Sequence, residues 1–279
     1  MSLPSKPVTK TGGEAGDEHG YRGKNMIGLP KRRGLLVIAL IGVLAATAGM
    51  AGSVTGHAAA ELAAGEHIAY MEGYPDGCMR PLERITREET AVVFFRLLSM
   101  EIGNPSWMGA CPFIDLDRNR WSRNEIAALY QAGIVQGDPD GRFRPSAPIT
   151  RAEFAVMAAR YTGIAESKEA SFPDVENHWS SEYIQTALER GWIRGYGDGS
   201  FRPDGTIIRC EAMMLVNEAL DRRVDTGGLH EHARQWPDNT KDKWYYEIVL
   251  EAANSHEYQR ADKPRSTERW TVIRENPVW

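Results

Sequence analysis

The chain has 279 residues, of which 42% are hydrophobic and 25% charged. That is enough apolar material for one or two packed cores, and too balanced a mixture for a mostly disordered chain. Ordinary usage of Gly (27), Pro (15) and Cys (3) excludes collagen-like, mucin-like and disulfide-dense classes. The net charge of −5 is uneven: residues 1–33 carry a net +4 and the remainder −9. An acidic body excludes general nucleic-acid binding, because the phosphate backbone rewards a basic face.

Taken in chain order, residues 1–33 read as a basic disordered leader ending in Lys31-Arg32-Arg33, and 34–60 as a signal peptide or signal anchor. Leu35 to Ala51 contains no charge, is short of the ~20 apolar residues a membrane span needs, and precedes Ala58-Ala59-Ala60, small residues of the kind a signal peptidase accepts. A cleaved secretory signal is the first reading. The long preamble keeps an uncleaved anchor over 35–51, with its basic end in the cytoplasm, as the alternative. A buried globular helix would show an amphipathic period that this run lacks. Both readings place the residues from about 61 onward outside the membrane, anchored to it if the run is retained.

Beyond residue 61 one pattern occurs three times. Its loop half is Gly73-Tyr74-Pro75-Asp76-Gly77, Gly137-Asp138-Pro139-Asp140-Gly141 and Gly195-Tyr196-Gly197-Asp198-Gly199. Arg80-Pro81, Arg144-Pro145 and Arg202-Pro203 follow at a constant offset, and then Ile85-Thr86-Arg87-Glu88-Glu89, Ile149-Thr150-Arg151-Ala152-Glu153 and Ile207-Ile208-Arg209-Cys210-Glu211. A second half-motif, in shifted phase, reads Phe113-Ile114-Asp115 with Trp121, Phe172-Pro173-Asp174 with Trp179, and Trp236-Pro237-Asp238 with Trp244. After each tryptophan, apolar residues five and eight positions on (Ile126 and Leu129, Ile184 and Ala187, Val249 and Ala252) share one helical face.

Each copy is therefore an aromatic-Asp turn, a helix, an Asp-Gly loop and a second helix. The phase gives a half-repeat (67–100), two whole repeats (111–163 and 172–222) and a closing half-repeat (236–256), followed by a tail over 261–279. A repeat cannot bury its apolar face alone, so the two halves have reason to dock. The expected fold is mainly α: three helix-loop-helix repeats over 61–260 in a closed pseudo-three-fold arrangement, the first completed by the C-terminal half. The second helices carry core faces, as in Phe154, Met157, Ala158 and Tyr161.

Thr86-x-x-Glu89 and Thr150-x-x-Glu153 have capping-box spacing, which accounts for Thr and Glu but not for the arginine between them. Arg87, Arg151 and Arg209 sit at the first helical position, where a cation opposes the helix dipole at a cost of ~0.3–1 kcal/mol. Either each arginine pairs with an acid and stabilises contact between copies, or it points outward and joins free backbone N–H groups as an anion receptor. The second reading is favoured here, because repetition would give avidity on an anionic polymer.

Phe-x-Asp, His178-Trp179, Gly-Tyr-x-Asp-Gly, Phe-Arg-Pro and Ile-Thr-Arg-Ala-Glu-Phe together resemble the S-layer homology domain of bacterial cell-envelope proteins, over 67–256. The resemblance implies a pseudo-trimeric helical fold that binds secondary cell-wall polysaccharide, typically pyruvylated, in a peptidoglycan-associated envelope. Carried over by position, it implies polymer contact by Arg87, Arg151 and Arg209. Asp115, Asp174 and Asp238, the loop pairs Asp76-Gly77, Asp140-Gly141 and Asp198-Gly199, and Trp121, Trp179 and Trp244 would complete the polymer-binding set. Copy three has Ile208 for Thr and Cys210 for Ala, and copy two has Asp138 for Tyr. One or two working grooves are expected, with copy one or copy two ahead of copy three.

Cys78, Cys111 and Cys210 cannot all pair within one chain and lack metal-ligand spacing, so thiols are expected. Asp138-Pro139-Asp140-Gly141 has Ile149 where a calcium loop needs an acid, and reads as a tight turn. His230-Glu231-His232 lies in a polar connector and reads as solvated loop. No nucleophile elbow or zinc-protease helix occurs, and no metal, cofactor or catalytic residue is expected. The function expected is a non-catalytic wall-anchoring module. The alternative is a structural envelope protein that uses its repeats for self-association or partner docking without glycan binding.

Overall fold

The computed structural model describes residues 62–102, 111–163, 171–261, 263 and 265–279. The leader and the apolar run 35–51 lie outside them. Among the described residues no helix is long and apolar enough to cross a membrane.

Strand β1 (Leu62–His67) is followed by α1 (Arg87–Ile102), α2 (Arg123–Gln131) and α3 (Arg151–Thr162), then α4 (Ser181–Glu189), α5 (Arg209–Ala219) and α6 (Tyr246–Ala253), with β2 (Ser255–Ala261) and β3 (Glu268–Arg274) last. The fold is mainly α, as the repeat pattern predicts. The second helix of each copy packs on the first helix of the next: α1 on α2, α3 on α4, α5 on α6.

Three-fold closure is made by one hydrogen-bonded ring. Ile149 N–H donates to Ile85 O (3.0 Å), Ile207 N–H to Ile149 O (3.4 Å), and Ile85 N–H to Ile207 O (3.2 Å). Each isoleucine precedes a second helix and is fully buried. Each copy thus donates to one neighbour and accepts from the other, which is the pattern a closed ring requires.

The incomplete ends complete each other. Asp238 accepts from the backbone N–H groups of Met79 (2.9 Å) and Arg80 (2.6 Å), as Asp115 does from Phe143 and Arg144 (both 2.8 Å) and Asp174 from Phe201 and Arg202. Packing repeats the same relation. A Cβ on Gly137 or Gly195 would sit 2.4 or 2.3 Å from Phe113 or Phe172, and one on Gly73 2.9 Å from Trp236. The glycine opening each loop is thus needed for aromatic contact within its own repeat, and in the first copy that aromatic comes from the far end of the chain.

The sheet was not expected. Residues read as a domain edge and a tail form three antiparallel strands in the order β1-β2-β3, with Leu62 opposite Ala261 and His67 opposite His256. β2 has only Tyr258 and Ala261 as apolar residues, and in β3 the alternation of Trp270 and Val272 is broken by Ile273, so neither runs long enough to mark a half-buried strand. Its ordering residues include Trp270, buried against His256 in a stacked pair 3.9 Å apart.

Candidate functional site

The three arginines are inward, contrary to expectation. Arg87, Arg151 and Arg209 are 5%, 8% and 3% exposed. Their Nε atoms donate to main-chain carbonyls of the neighbouring copy's loop: Phe143 (2.8 Å), Phe201 (2.7 Å) and Met79 (2.9 Å). Arg87 pairs with Glu153, and Arg209 with Glu89 at 3.0 Å. Among the described residues no carboxylate lies within ion-pair distance of Arg151, whose Nη2 donates to Arg194 O at 2.6 Å. Burial holds the Arg87 and Arg151 guanidinium groups below their ordinary pKa, opposed at Arg87 by Glu153 and at Arg151 by Tyr196 and Glu211.

The helix N-termini are spent as well. The first-position N–H groups of Arg87, Arg151 and Arg209 donate to Ala147, Gly205 and Glu83 carbonyls at 2.9, 2.8 and 2.9 Å. The second-position N–H groups of Glu88, Ala152 and Cys210 donate to Pro145, Pro203 and Pro81. Thr86 and Thr150 Oγ1 accept from Glu89 and Glu153 N–H, both at 3.2 Å. Ile208 has no such oxygen, and only the reverse bond, Ile208 N–H to Glu211, remains. The free N–H groups of an anion receptor are therefore absent at these three ends, because the neighbouring copy's loop supplies carbonyls to the donors an α-helix leaves open.

The aspartates of the second half-motif hold loop backbone rather than projecting as ligands. They fix Arg80, Arg144 and Arg202 at φ +52°, +55° and +58°, a left-handed conformation that costs a non-glycine residue ~1–2 kcal/mol. Burial works against the Asp174 carboxylate, but the amide donors of Phe201 and Arg202 outweigh it and hold its pKa below the ordinary value. In the Asp-Gly loops, Asp76, Asp140 and Asp198 accept from backbone N–H groups two residues on, at 3.0, 3.1 and 3.0 Å. Gly77, Gly141 and Gly199 adopt φ near +80° with open space beside them, so conformation alone requires glycine there. The Asp138–Asp140 segment is a tight turn, closed by Gly141 N–H to Asp138 O at 3.0 Å.

The left-handed arginines are cations that the repeat pattern displayed and that were not singled out. Arg80 stacks on the Tyr74 ring at 4.2 Å while Arg209 faces the same ring at 4.7 Å. Tyr196 is likewise held between Arg202 (4.1 Å) and Arg151 (4.7 Å). Asp138 replaces this aromatic in copy two and pairs with Arg144 at 2.5 Å. The constant Arg before Pro was the available signal.

A cavity of about 560 Å³ lies where copies meet, lined by Tyr74, Thr86, Glu89, Arg96, Trp121 and Arg209 among others. Three arginine–glutamate pairs balance its charge: Arg209–Glu89, Arg96–Glu72 at 2.5 Å, and Arg120–Glu88 at 2.7 Å. Trp121, Trp179 and Trp244 are 59%, 64% and 58% exposed, large apolar side chains left in solvent at the same place in each copy. The set named from sequence therefore separates into inward arginines, loop-holding aspartates and outward tryptophans.

Residues 112–155 and 171–213 match the S-layer homology domain family. Cell surface glycoprotein 1 of Acetivibrio thermocellus is 35% identical over 206 residues, covering 70% of this chain and 9% of that protein. The same organism's cellulosome-anchoring protein is 33% identical over 201 residues, covering 70% of this chain and 44% of that protein. The chain is an S-layer homology domain protein. S-layer protein EA1 of Bacillus anthracis is 31% identical over 148 residues, 52% of this chain and 17% of its own length. The chain thus spans less than half the length of each of these relatives. Within this S-layer homology protein, the copy split between 67–100 and 236–256 lies outside the two family-matched segments, and the Asp238 contacts with Met79 and Arg80 tie it together.

Cys78 and Cys111 are part-exposed free thiols and Cys210 is a buried one. His230 and His232 stand in contact, 5.3 Å apart, in the polar connector. A different set of metal-ligand type was missed: His67, Glu251, His256 and Glu268 bring their ligand atoms within 4.8 Å of one another. No local spacing motif links these positions.

Proposed function

We propose that this protein is a non-catalytic module that holds its carrier to the cell wall by binding anionic, pyruvylated secondary wall polymer in the grooves between copies. The observation that carries the reading is the three-fold recurrence of an exposed indole, at Trp121, Trp179 and Trp244. An apolar ring face in water offers a sugar ring a platform, and three such faces give avidity on a repeating chain. The cellulosome-anchoring protein among its relatives is consistent with this role.

Charge recognition then works by exchange. In the 560 Å³ groove a polymer carboxylate displaces Glu72, whose side chain is half exposed, from Arg96. Arg80 and Arg202, stacked on tyrosine at the surface and paired with Asp76 and Asp198 at 2.7 Å, are open to the same exchange, whereas Arg151 is buried with its donors on the Phe201 and Arg194 carbonyls. Arg87 and Arg209 contribute chiefly by holding the groove walls. The apolar run 35–51 provides export, and a membrane tether where it is retained.

The test is co-sedimentation of the full chain with wall sacculi before and after extraction of the secondary polymer. Pelleting that needs the polymer and falls in the Trp121→Ala/Trp179→Ala/Trp244→Ala variant is the expected result. Equal pelleting with stripped sacculi overturns it.

A second reading has one observation in its favour. Buried arginines that pair with glutamates across copies are what a purely structural repeat needs. The exposed tryptophans then mediate self-association, visible as concentration-dependent sedimentation that the triple tryptophan variant abolishes.

A further inference from the structure

We propose that His67, Glu251, His256 and Glu268 form a structural binding site for one divalent transition ion of the zinc type, clamping the small sheet to the last helix. His67 ends β1, His256 lies opposite it in β2, Glu268 opens β3, and Glu251 is on α6. The four are 8%, 0%, 2% and 1% exposed, respectively.

Distances suit four-coordination. His67 Nδ1 lies 2.9 Å from Glu251 Oε1 and 3.3 Å from Glu268 Oε2. His256 Nε2 lies 3.5 Å from Glu251 Oε2 and 3.9 Å from Glu268 Oε2. A tetrahedron with metal–ligand bonds of 2.0–2.2 Å has edges of ~3.3–3.6 Å; Glu251 meets the two histidines through different oxygens, and with one ligand atom per residue the set lies within 4.8 Å, so closing on one ion takes side-chain shifts of about an ångström.

The decisive feature is the buried orphan. His256 Nδ1 lies 3.0 Å from the Asn254 carbonyl, an acceptor only, so Nδ1 carries the proton and Nε2 bears a lone pair when the ring is neutral. That Nε2 and Glu268 Oε2 are both buried without a hydrogen-bond partner. A nitrogen lone pair facing carboxylate oxygens is repulsive, and either a proton on Nε2 or a metal ion between the groups relieves it. One divalent ion neutralises both carboxylates and uses both orphans.

The surroundings hold the ligands as metal sites require. Trp270 Nε1–H donates to Glu251 Oε2 at 3.2 Å, and Arg260 Nη1 to Glu268 Oε1 at 3.4 Å. The His256 ring stacks on Trp270 at 3.9 Å and the His67 ring lies 4.3 Å from Tyr258, so packing fixes both rings in advance. Imidazole and carboxylate donors together favour zinc-like ions over calcium or magnesium, which take oxygen ligands.

The experiment uses the full chain, purified without a histidine tag, with metal content measured by mass spectrometry and melting followed with Zn²⁺ or chelator. One ion per chain and an upward shift of about 5–10 °C in Tm when free Zn²⁺ is a hundred times Kd are expected. Co²⁺ should give the intense visible absorption of tetrahedral coordination. Glu268→Gln, which keeps the shape, should weaken Zn²⁺ binding at least ~10–100-fold. His230→Gln/His232→Gln should leave it unchanged. Folded wild-type protein that retains no ion and melts identically with Zn²⁺ and chelator overturns the proposal, as does binding that follows His230 and His232. Should Glu268→Gln fail to fold, the wild-type stoichiometry and the Co²⁺ spectrum still decide.

Discussion

Asp238 and Arg80 lie far apart in the chain, yet the Asp238 carboxylate accepts the Arg80 backbone N–H at 2.6 Å and the adjacent Met79 N–H at 2.9 Å. This contact does for the split copy what Asp115 and Asp174 do within continuous ones, and it holds a left-handed Arg-Pro turn. Asp238→Ala should remove two charge-assisted bonds and cost about 3 kcal/mol, with Asp238→Asn retaining roughly half. Urea unfolding checks this. Because the split copy closes the ring, loss should appear as one cooperative transition at lower urea. A separate early transition confined to the terminal halves would show that the ring is not one unit.

Arg87 and Arg151 occupy equivalent positions but face different partners. Arg87→Ala removes the bond to Phe143 O and leaves the part-buried Glu153 carboxylate with only the longer contact to Arg144 at 3.7 Å and the Thr150 N–H, for an expected loss of about 3 kcal/mol. Arg151→Ala removes bonds to Phe201 O and Arg194 O without stranding a paired carboxylate, and should cost about half as much. A Glu153→Gln change in the Arg87→Ala background should recover part of the loss, with a coupling energy of about 1–2 kcal/mol. Equal losses at the two arginines, with no coupling, would contradict the assignment.

The ring, the phase shift and the docking of terminal halves were legible because each rests on residues recurring at fixed offsets, and docking on each other lets the two half-repeats bury their faces within one chain. The inward turn of Arg87, Arg151 and Arg209 was not. Their position at helix starts is local information, whereas the carbonyls of Phe143, Phe201 and Met79 that capture them belong to loops of neighbouring copies. The same reason hides the sheet and its His67–Glu251–His256–Glu268 cluster, assembled from both ends of the domain by strands with too few apolar positions to show a period.

The three thiols should separate by chemistry. Burial pushes the Cys210 thiol up to about 12, with Glu211 adding to it, so at pH 8 it is protonated and inaccessible. Cys78 and Cys111 are part-exposed. Alkylation of native protein at pH 8, read by peptide mass spectrometry, should label Cys78 and Cys111 and spare Cys210 until denaturant is added. Burial and then Asp76 also raise the Cys78 thiol, so its labelling should quicken as pH rises. Rapid native labelling of Cys210 would mean that the start of α5 opens without global unfolding.

The grooves should differ in strength, and the tryptophans report which is which. Trp121 shares its cavity with Tyr74, whose hydroxyl donates to Glu89 and whose ring lies between Arg80 and Arg209. By the three-fold relation, the groove of Trp179 has Asp138 at the tyrosine position, and an acid paired with Arg144 both removes an aromatic wall and repels an anion. The groove of Trp244 keeps Tyr196 but has Ile208 in place of the capping threonine. Trp121→Ala should therefore weaken sacculus binding most, by about tenfold, a step of ~1.4 kcal/mol, and Trp179→Ala least. Since all three side chains are more than half exposed, each variant should melt within about 2 °C of wild type. Asp138→Tyr should strengthen the second groove, and a gain there without any change in melting would tie binding to the aromatic–arginine stack rather than to overall stability.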